Sequence, residues 1–491
     1  MQFLFGGLLL LYILALIGLG LFGIHKYVLI LRHIKYSKNP MEIPNKPEAW
    51  PAVLVQLPVY NEKYVLKRLI KSVVRQDYPK EKLHIQVLDD STDDTKLLAR
   101  RLVRVLRRKG VRIEHVVRRN RIGFKAGALD YGLKKSDEQF IAIFDADFVP
   151  QPDFLKKTLP YIITKNEIGM VQARWGHLNV NYSLLTKLQS CFLDAHFLIE
   201  HFTRFRSGKF FNFNGTAGVW RRQAINDAGG WQHDTLTEDL DLSYRSQLAG
   251  WKFMFLPDVV APAELPVDMN SYKSQQHRWA KGSVQTAIKL LPILLKSGLP
   301  LSVRLEAFLH LTSNFSYLLM AIPAFLLIPM LNMQMMFSIK WTIIPYLIMF
   351  FAATLSVMIY YGYTIKLQYK KLWPHLLYIP ALMGLGIGLS VNNGKAVLEA
   401  LAGIQTDFLR TPKFNIESRT DSWRRKKYQS RVSRIHIIEL LMALYFSAGM
   451  SYFLYNEFYS SIPFFVLFQF GYYYIAFSSF GQRLRSQHNK H

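Results

Sequence analysis

The segment Phe140-Ile141-Ala142-Ile143-Phe144-Asp145-Ala146-Asp147 decides the fold of this chain. It places five apolar residues directly before two carboxylates that are two residues apart. A short apolar run of this kind is typical of a buried strand in a parallel sheet. Ligands of open α/β sheets bind beyond the carboxyl ends of the strands. The segment therefore predicts an α/β domain with Asp145 and Asp147 at its ligand crevice.

Four further β-branched runs alternate with helical stretches between about residues 50 and 260, which predicts a mainly parallel sheet. These runs cover residues 53–57, 85–88, 113–117 and 170–172. Tyr60 and Glu62 follow the first run, and Asp89 and Asp90 follow the second. Because parallel strands end at one edge of a sheet, we expect these side chains to share the crevice of the acidic pair.

The acidic pair and a nearby lysine have the chemistry of a diphosphate site. Mg²⁺ and Mn²⁺ prefer oxygen ligands and bridge readily to a diphosphate, so Asp145 and Asp147 are candidate metal ligands. Lys125 lies among glycines at a predicted helix start, a position that suits phosphate. The structural alternatives are a polar turn that caps a helix for the acidic pair and a solvated surface lysine for Lys125.

Two later motifs combine residue types that suit a sugar reaction. Asp239, which follows Thr237, lies in the first turn of a predicted helix, where an ordinary capped helix start is the alternative. Gln275, Arg278 and Trp279 offer an amide, a guanidinium and an indole that suit a sugar, although such a group also occurs on packed surfaces near membranes. No serine lies in a Gly-x-Ser-x-Gly nucleophile motif.

Charge and apolar residues are segregated along the chain. The net charge is +27, half of the 491 residues are apolar, and charged residues thin out in the first 25 positions and after about position 306. Basic residues crowd beside apolar segments, as at residues 424–427, so anionic lipid and phosphorylated substrates are expected partners and nucleic acid is not. Cys191 is the single cysteine, which excludes an intramolecular disulfide.

The apolar segments predict a membrane protein with five crossings. Residues 4–24 carry no charge, and Lys26 and Arg32 follow, so the positive-inside rule places the next segment in the cytosol. Residues 374–391 contain two prolines and three glycines, and a crossing there would put the later basic stretch outside. We therefore expect an interfacial or re-entrant helix at this point. The other apolar segments cover residues 312–331, 342–363, 437–455 and 462–480.

The predicted fold class is an α/β nucleotide-sugar transferase domain of the GT-A type, inserted between an N-terminal transmembrane helix and a C-terminal bundle of transmembrane and interfacial helices. The expected domains are an N-terminal helix (1–35), a cytosolic catalytic domain (36–275), the sugar-binding motif with amphipathic interfacial helices (276–311), membrane helices with a cytosolic loop at 405–434 (312–480), and a cytosolic tail (481–491).

Four motifs in this order resemble those of the processive family-2 glycosyltransferases, the group of cellulose, chitin, hyaluronan and mannan synthases. The motifs are Asp89-Asp90, Asp145-x-Asp147, Thr237-Glu238-Asp239 and Gln275-x-x-Arg278-Trp279. The resemblance covers most of the chain. Residues 56–62, 86–93, 143–148 and 213–220 look most like the cellulose-synthase-like group that makes β-mannan and glucomannan backbones.

This resemblance implies a role for each motif. Asp89 would contact the nucleobase, and Asp145 and Asp147 would serve the ribose, the diphosphate and a divalent metal. Asp239 would be the general base of an inverting transfer that gives a β-linkage. Gln275, Arg278 and Trp279 would bind the acceptor end and the leaving diphosphate, and Tyr60, Glu62 and Lys125 would complete the nucleotide-sugar site.

Residues 408–413 resemble the gating loop of these synthases, whose pattern is Phe-x-Val-Thr-x-Lys. Arg410 stands where valine is usual, whereas Thr411 and Lys413 match the pattern. A loop that touches the diphosphate has to be cytosolic. The resemblance thus supports the topology with five crossings.

The expected function is inverting transfer of a sugar from GDP-mannose or UDP-glucose to a growing β-linked polysaccharide that the same protein translocates, with Mg²⁺ or Mn²⁺ as cofactor. The membrane would be a bacterial inner membrane or a Golgi-type membrane, and a separate regulatory or export subunit is a further expected partner. The alternative enzyme is a non-processive transferase with a lipid acceptor, similar to ceramide glucosyltransferase. A transporter is disfavoured because the apolar segments hold few ionisable residues.

Overall fold

A computed structural model of the chain describes residues 2–336, 350–369, 371–406, 410–423, 426, 428 and 434–488. Part of the predicted crossing at 342–363, the residues Phe408 and Leu409 of the gating-loop motif, and several basic residues between 424 and 433 lie outside these ranges.

Seven strands form one sheet in the order β3-β2-β1-β4-β6-β5-β7. They are β1 (Val53–Val59), β2 (Leu83–Asp89), β3 (Ile113–Val117), β4 (Phe140–Ile143), β5 (Ile168–His177), β6 (Gly218–Arg221) and β7 (Lys252–Ala263). Strands β1 to β4 are parallel to one another, and β6 runs antiparallel to β4 and β5. The GT-A-type, mainly parallel sheet predicted from the sequence is confirmed, with two strands added.

The sheet is buried on both faces because its strands are apolar at nearly every position. In β4, Phe140 and Ala142 belong to one core cluster while Ile141 and Ile143 belong to the other. Helices cover both faces: α2 (Leu66–Val74), α3 (Thr95–Arg108), α4 (Phe124–Leu133), α5 (Phe154–Thr164), α6 (Leu184–Asp194), α7 (Phe202–Arg206), α8 (Arg222–Asp227) and α9 (Glu238–Leu248). A π-helical segment, Ala195–His201, joins α6 to α7.

Helix α10 (Met269–Lys296) connects the sheet domain to the apolar helices. Its N-cap is Asp268, whose side chain accepts a hydrogen bond from the Ser271 backbone at 2.9 Å. The domain boundary predicted at residue 275 therefore falls inside a helix. A shorter helix, α11 (Leu301–Leu311), follows and exposes apolar side chains such as Leu301 and Leu305.

Five of the described helices are long and apolar enough to cross a membrane. Four lie where crossings were predicted: α1 (Gln2–Tyr36), α12 (Phe315–Met336), α15 (Ile435–Tyr455) and α16 (Ile462–His488). The fifth is α14 (Tyr378–Leu401), at the place where an interfacial or re-entrant helix was predicted. In the segment predicted to cross at 342–363, the described part holds a π-helical turn (Phe350–Leu355) and α13 (Ser356–Tyr369).

Helix α14 is continuous, contrary to the prediction that its glycines make a poor straight helix. The glycines instead permit a close crossing with α16. A Cβ added at Gly388 would lie 2.5 Å from the Gly471 carbonyl oxygen, and one added at Gly384 would lie 2.5 Å from Phe470 Cδ1. Small residues at helix crossings allow backbones to approach in this way.

We expect Gly388→Ala to destabilise the α14–α16 pair by about 1–3 kcal/mol, because the added methyl group has to displace backbone. Gly386→Ala is the matched control, since a Cβ there meets nothing within 4 Å. Thermal unfolding of both variants in detergent measures the difference. Equal stability of the two variants would contradict the close crossing.

Candidate active site

The carboxyl ends of β1, β2 and β4 meet at one cleft, as the strand pattern predicts. The cleft contains about 1280 Å³ of space, including its open mouth. Every predicted site residue except Asp89 lines it: Tyr60, Glu62, Lys125, Asp145, Asp147, Asp239, Gln275, Arg278, Trp279, Thr411 and Lys413.

The acidic pair after β4 is neutralised by two lysines from different parts of the chain. Lys125 Nζ lies 2.6 Å from Asp145 Oδ1, and Lys413 Nζ lies 2.7 Å from Asp147 Oδ2. Burial raises the pKa of Asp145, and the charge of Lys125 opposes that shift. Burial also disfavours the charged form of Lys125, but the surrounding carboxylates outweigh it and raise the pKa of this lysine.

Asp239 lies in the first turn of α9 and faces the same cleft. Its Oδ1 accepts a hydrogen bond from the Leu240 backbone at 2.9 Å. Burial raises the pKa of Asp239 to about 7, the neighbouring Glu238 raises it too, and Lys125 and Arg278 oppose the shift. A carboxyl with this pKa is poised to accept a proton near neutral pH.

Thr237 occupies the N-cap position of α9, but it holds this helix start by packing against α10 and not by a capping hydrogen bond. Its hydroxyl makes no capping hydrogen bond and lies 3.2 Å from the Thr286 hydroxyl of α10. A Cβ added at Gly282 of α10 would lie 2.8 Å from the Thr237 backbone nitrogen. Close packing of α10 against this turn thus fixes the start of the helix that carries Asp239.

Helix α10 presents Gln275, Arg278 and Trp279 on one face, because positions three and four apart are neighbours on a helix. Burial lowers the pKa of Arg278, against the opposing charges of Glu238 and Asp239. The Trp279 ring lies 6.5 Å from that of Trp175, which also lines the cleft. The cleft thus holds a cation and two aromatic rings close to Asp239.

Asp89 is the one predicted site residue that does not line the cleft. Asp89 is buried below the cleft, where its Oδ1 accepts from the Ser91 backbone at 2.9 Å and its Oδ2 lies 2.7 Å from His115 Nε2. Successive side chains of a strand point to opposite faces, so Asp89 points away from the cleft and the next residue, Asp90, lines the cleft wall. Asp90 accepts a hydrogen bond from Arg118 Nε at 3.0 Å.

The described part of the gating-loop motif closes one side of the cleft. Lys413 Nζ donates to the Glu264 carbonyl at 3.1 Å besides pairing with Asp147. The Thr411 hydroxyl is buried and has no hydrogen-bond partner among the described residues. Arg410 Nε lies 3.1 Å from Glu62 Oε1. Burial raises the pKa of Glu62 to about 7, and Arg410 opposes that shift.

Sequence reasoning missed several residues of the cleft wall: Arg121, Trp175, His177, Asn214 and Glu264. Glu264 directly follows β7, so an acid at the end of a largely apolar strand was a usable signal. The Arg121 guanidinium carbon lies 3.4 Å from the centre of the Tyr60 ring, a tertiary contact that no local pattern indicates.

The fold of this domain is of the GT-A type. Residues 51–282 match the family model described as "Glycosyltransferase like family 2". This match agrees with the family-2 resemblance that the motifs predicted.

Among curated relatives, glucomannan 4-beta-mannosyltransferase 1 of Cyamopsis tetragonoloba is 40% identical over 333 residues, which cover 64% of this chain and 63% of the relative. The probable glucomannan 4-beta-mannosyltransferase 9 of Oryza sativa subsp. japonica is 44% identical over 257 residues, which cover 51% and 48%. The chain thus spans less than two thirds of the length of these relatives.

A solved structure shares the fold. It is a mannosyltransferase from Pyrobaculum calidifontis in complex with GDP-Man and Mn²⁺, with a TM-score of 0.51 and 19% identity. The match covers 81% of this chain and 100% of that one.

We expect Gly282→Ala to lower turnover, on the order of 10²-fold, because the added methyl group pushes Thr237 and shifts Asp239 from its position. The clash with Thr237 costs stability that the higher helix propensity of alanine partly offsets, so thermal unfolding checks that the variant is folded. Gly298→Ala is the control, since a Cβ there meets nothing within 4 Å. Sugar transfer assayed at saturating donor measures the effect, and wild-type turnover in Gly282→Ala would contradict the role of this packing.

Proposed function

We propose that this chain is an inverting β-glycosyltransferase that extends a β-linked polysaccharide from a nucleotide-sugar. The observation that carries the proposal is the placement of Asp239, with its raised pKa, in one cleft with the acidic pair Asp145 and Asp147 and the aromatic ring of Trp279. The curated relatives are named as glucomannan mannosyltransferases, which favours GDP-mannose as donor and a polysaccharide acceptor over a lipid acceptor.

In this proposal the donor lies along the carboxyl edge of the sheet. Tyr60, Glu62 and Asp90 face the nucleoside, and Lys125 faces the diphosphate. Asp90 takes this position in place of Asp89, because it is the member of the pair that lines the cleft. Lys413 and Thr411 close over the diphosphate from the other side.

The acidic pair has the chemistry of a divalent-metal site that the substrate completes. Among the described residues, no group of three or more His, Cys, Asp or Glu side chains is arranged to hold a metal by itself. Mg²⁺ is commonly bound by one or two carboxylates together with substrate phosphates, which fits Asp145 and Asp147. A bound Mg²⁺ or Mn²⁺ would neutralise the charge of the leaving diphosphate.

The acceptor sugar enters from the side of α10. Trp279 stacks on its ring, and Gln275 and Arg278 hold its hydroxyls and the leaving group. Asp239 accepts the proton of the attacking hydroxyl as its oxygen bonds to the anomeric carbon, while the bond from that carbon to the diphosphate oxygen breaks. A single displacement of this kind inverts the anomeric configuration and needs no covalent intermediate.

The apolar helices make this chain an integral membrane protein in the proposal, with the catalytic domain on the cytosolic side where nucleotide-sugars are made. The membrane is a bacterial inner membrane or a Golgi-type membrane. The helices α12 and α14 to α16 surround the exit path of the polymer, and a separate export or regulatory subunit remains a further proposed partner.

Asp239→Asn should reduce turnover by about 10²–10⁴-fold while leaving donor binding intact, because only the proton acceptor is lost. In the unaltered protein, turnover should rise with pH through about 7 as Asp239 loses its proton. A pH–rate profile and a donor-binding isotherm measure both effects. A profile that is flat between pH 5.5 and 8.5, or full turnover of the variant, would exclude Asp239 as the base.

The product distinguishes polymer from lipid glycosylation. Membranes that contain the protein are incubated with labelled GDP-mannose and UDP-glucose and with Mg²⁺ or Mn²⁺, and the product is digested with linkage-specific hydrolases. We expect a long product that a β-mannanase degrades. Addition of one sugar to a lipid, with no further extension, would overturn the polymer proposal.

A further inference from the structure

Arg410 occupies a position where the family pattern has valine, and it lines the cleft. Nη1 donates to the backbone carbonyl of Tyr60 at 2.7 Å and also to that of Asn61. Nε faces the Glu62 carboxylate at 3.1 Å. Nη2 is buried and has no hydrogen-bond partner among the described residues.

A buried guanidinium nitrogen without an acceptor is unfavourable, so the missing acceptor is expected from a ligand. The contacts of Arg410 already hold the side chain in place at the end of β1. The direction of Nη2 is therefore fixed before any ligand binds. A planar guanidinium also suits phosphate oxygens better than an ammonium group does.

A second arginine with the same deficit lies nearby. Arg121 stacks on the Tyr60 ring, and its buried Nε has no hydrogen-bond partner among the described residues. Burial lowers the pKa of Arg121, and Arg410 is one of the positive charges that add to the shift. Arg121 lies over the Tyr60 ring and Arg410 donates to the Tyr60 carbonyl, so two guanidinium groups with N–H groups that are unpaired within the described part of the chain are close to one residue. An anionic ligand would supply the acceptors that both groups lack.

The surrounding charges restrict which anion fits. Glu62, which faces Arg410 at 3.1 Å, also lies in the field of Asp145 and Asp147, so Arg410 is near the acidic pair. A ligand with a single carboxylate would be repelled by Asp145 and Asp147 and could not also bind a cation that offsets this repulsion. A diphosphate carries several oxygens and can contact the arginines on one side and a cation at the acidic pair on the other.

We infer that Arg410 is a ligand of the donor's diphosphate, assisted by Arg121, and that it retains the nucleoside diphosphate after sugar transfer. This inference rests on the proposed function, because it assigns a further residue to the same site. It goes beyond the gating-loop pattern, in which this position carries no charge.

The test compares binding of guanosine, GMP and GDP to the full-length protein in detergent with Mg²⁺, and of the uridine series in parallel. Arg410→Val should weaken diphosphate binding by about ten- to a hundredfold and leave nucleoside binding within about twofold. The diphosphate affinity of Arg410→Lys should lie between those of Arg410→Val and the unaltered protein, because lysine keeps the charge and loses the planar guanidinium.

The control is Arg419→Gln in the same segment, since Arg419 is exposed and donates to the Asn181 carbonyl outside the cleft. It should bind all nucleotides like the unaltered protein. Thermal unfolding checks that each variant is folded. If Arg410→Val does not fold, nucleotide binding by Arg410→Lys decides the test.

Each outcome decides one question. A loss that grows from nucleoside to diphosphate supports the inference. Unchanged GDP and UDP binding in both Arg410 variants overturns it, and so does an equal loss for nucleoside and diphosphate, which indicates a purely structural role. Failure of the unaltered protein to bind any of these nucleotides would instead overturn the proposed function.

Discussion

Neutralisation of clustered carboxylates is the constraint on which the rest of this structure depends. Asp145, Asp147, Glu238 and Asp239 face one partly desolvated cleft, where like charges are costly without counterions. The counterions come from elements far apart in sequence: Lys125 from α4, Arg278 from α10 and Lys413 from the segment after α14. The charge balance of the cleft is therefore complete only when the sheet domain and the C-terminal part of the chain are assembled.

The same arrangement explains how the acids differ in chemistry. Asp145 and Asp147 each pair with a lysine at 2.6–2.7 Å. Asp239 instead pairs with a backbone N–H and has an acidic neighbour, so its pKa rises towards neutrality. Asp145 and Asp147 follow β4, and Asp239 lies in the first turn of α9. All three are aspartates, but their different surroundings give them different chemistry.

Local patterns predicted the parts of this fold that depend on local residues. Apolar runs followed by acids located β1, β2 and β4, and uncharged segments located α1, α12, α15 and α16. The antiparallel β6 is four residues long and pairs at positions distant in sequence, which no local period indicates. Only the strand pleat decides that Asp90 lines the cleft while Asp89 is buried, and the adjacent letters of the sequence do not distinguish the two. The glycines of α14 suggested a break, because their tight packing against α16 is a tertiary property.

Lys413 and Arg410 also bear on how the catalytic domain can be studied alone. A protein cut after residue 282 would keep the whole sheet and the family-2 match but lose both cations. Glu62 and Asp147 would then face the cleft without their partners. Such a fragment would be less stable than its intact hydrophobic core suggests, and adding an external cation would be a rational way to rescue it in solution.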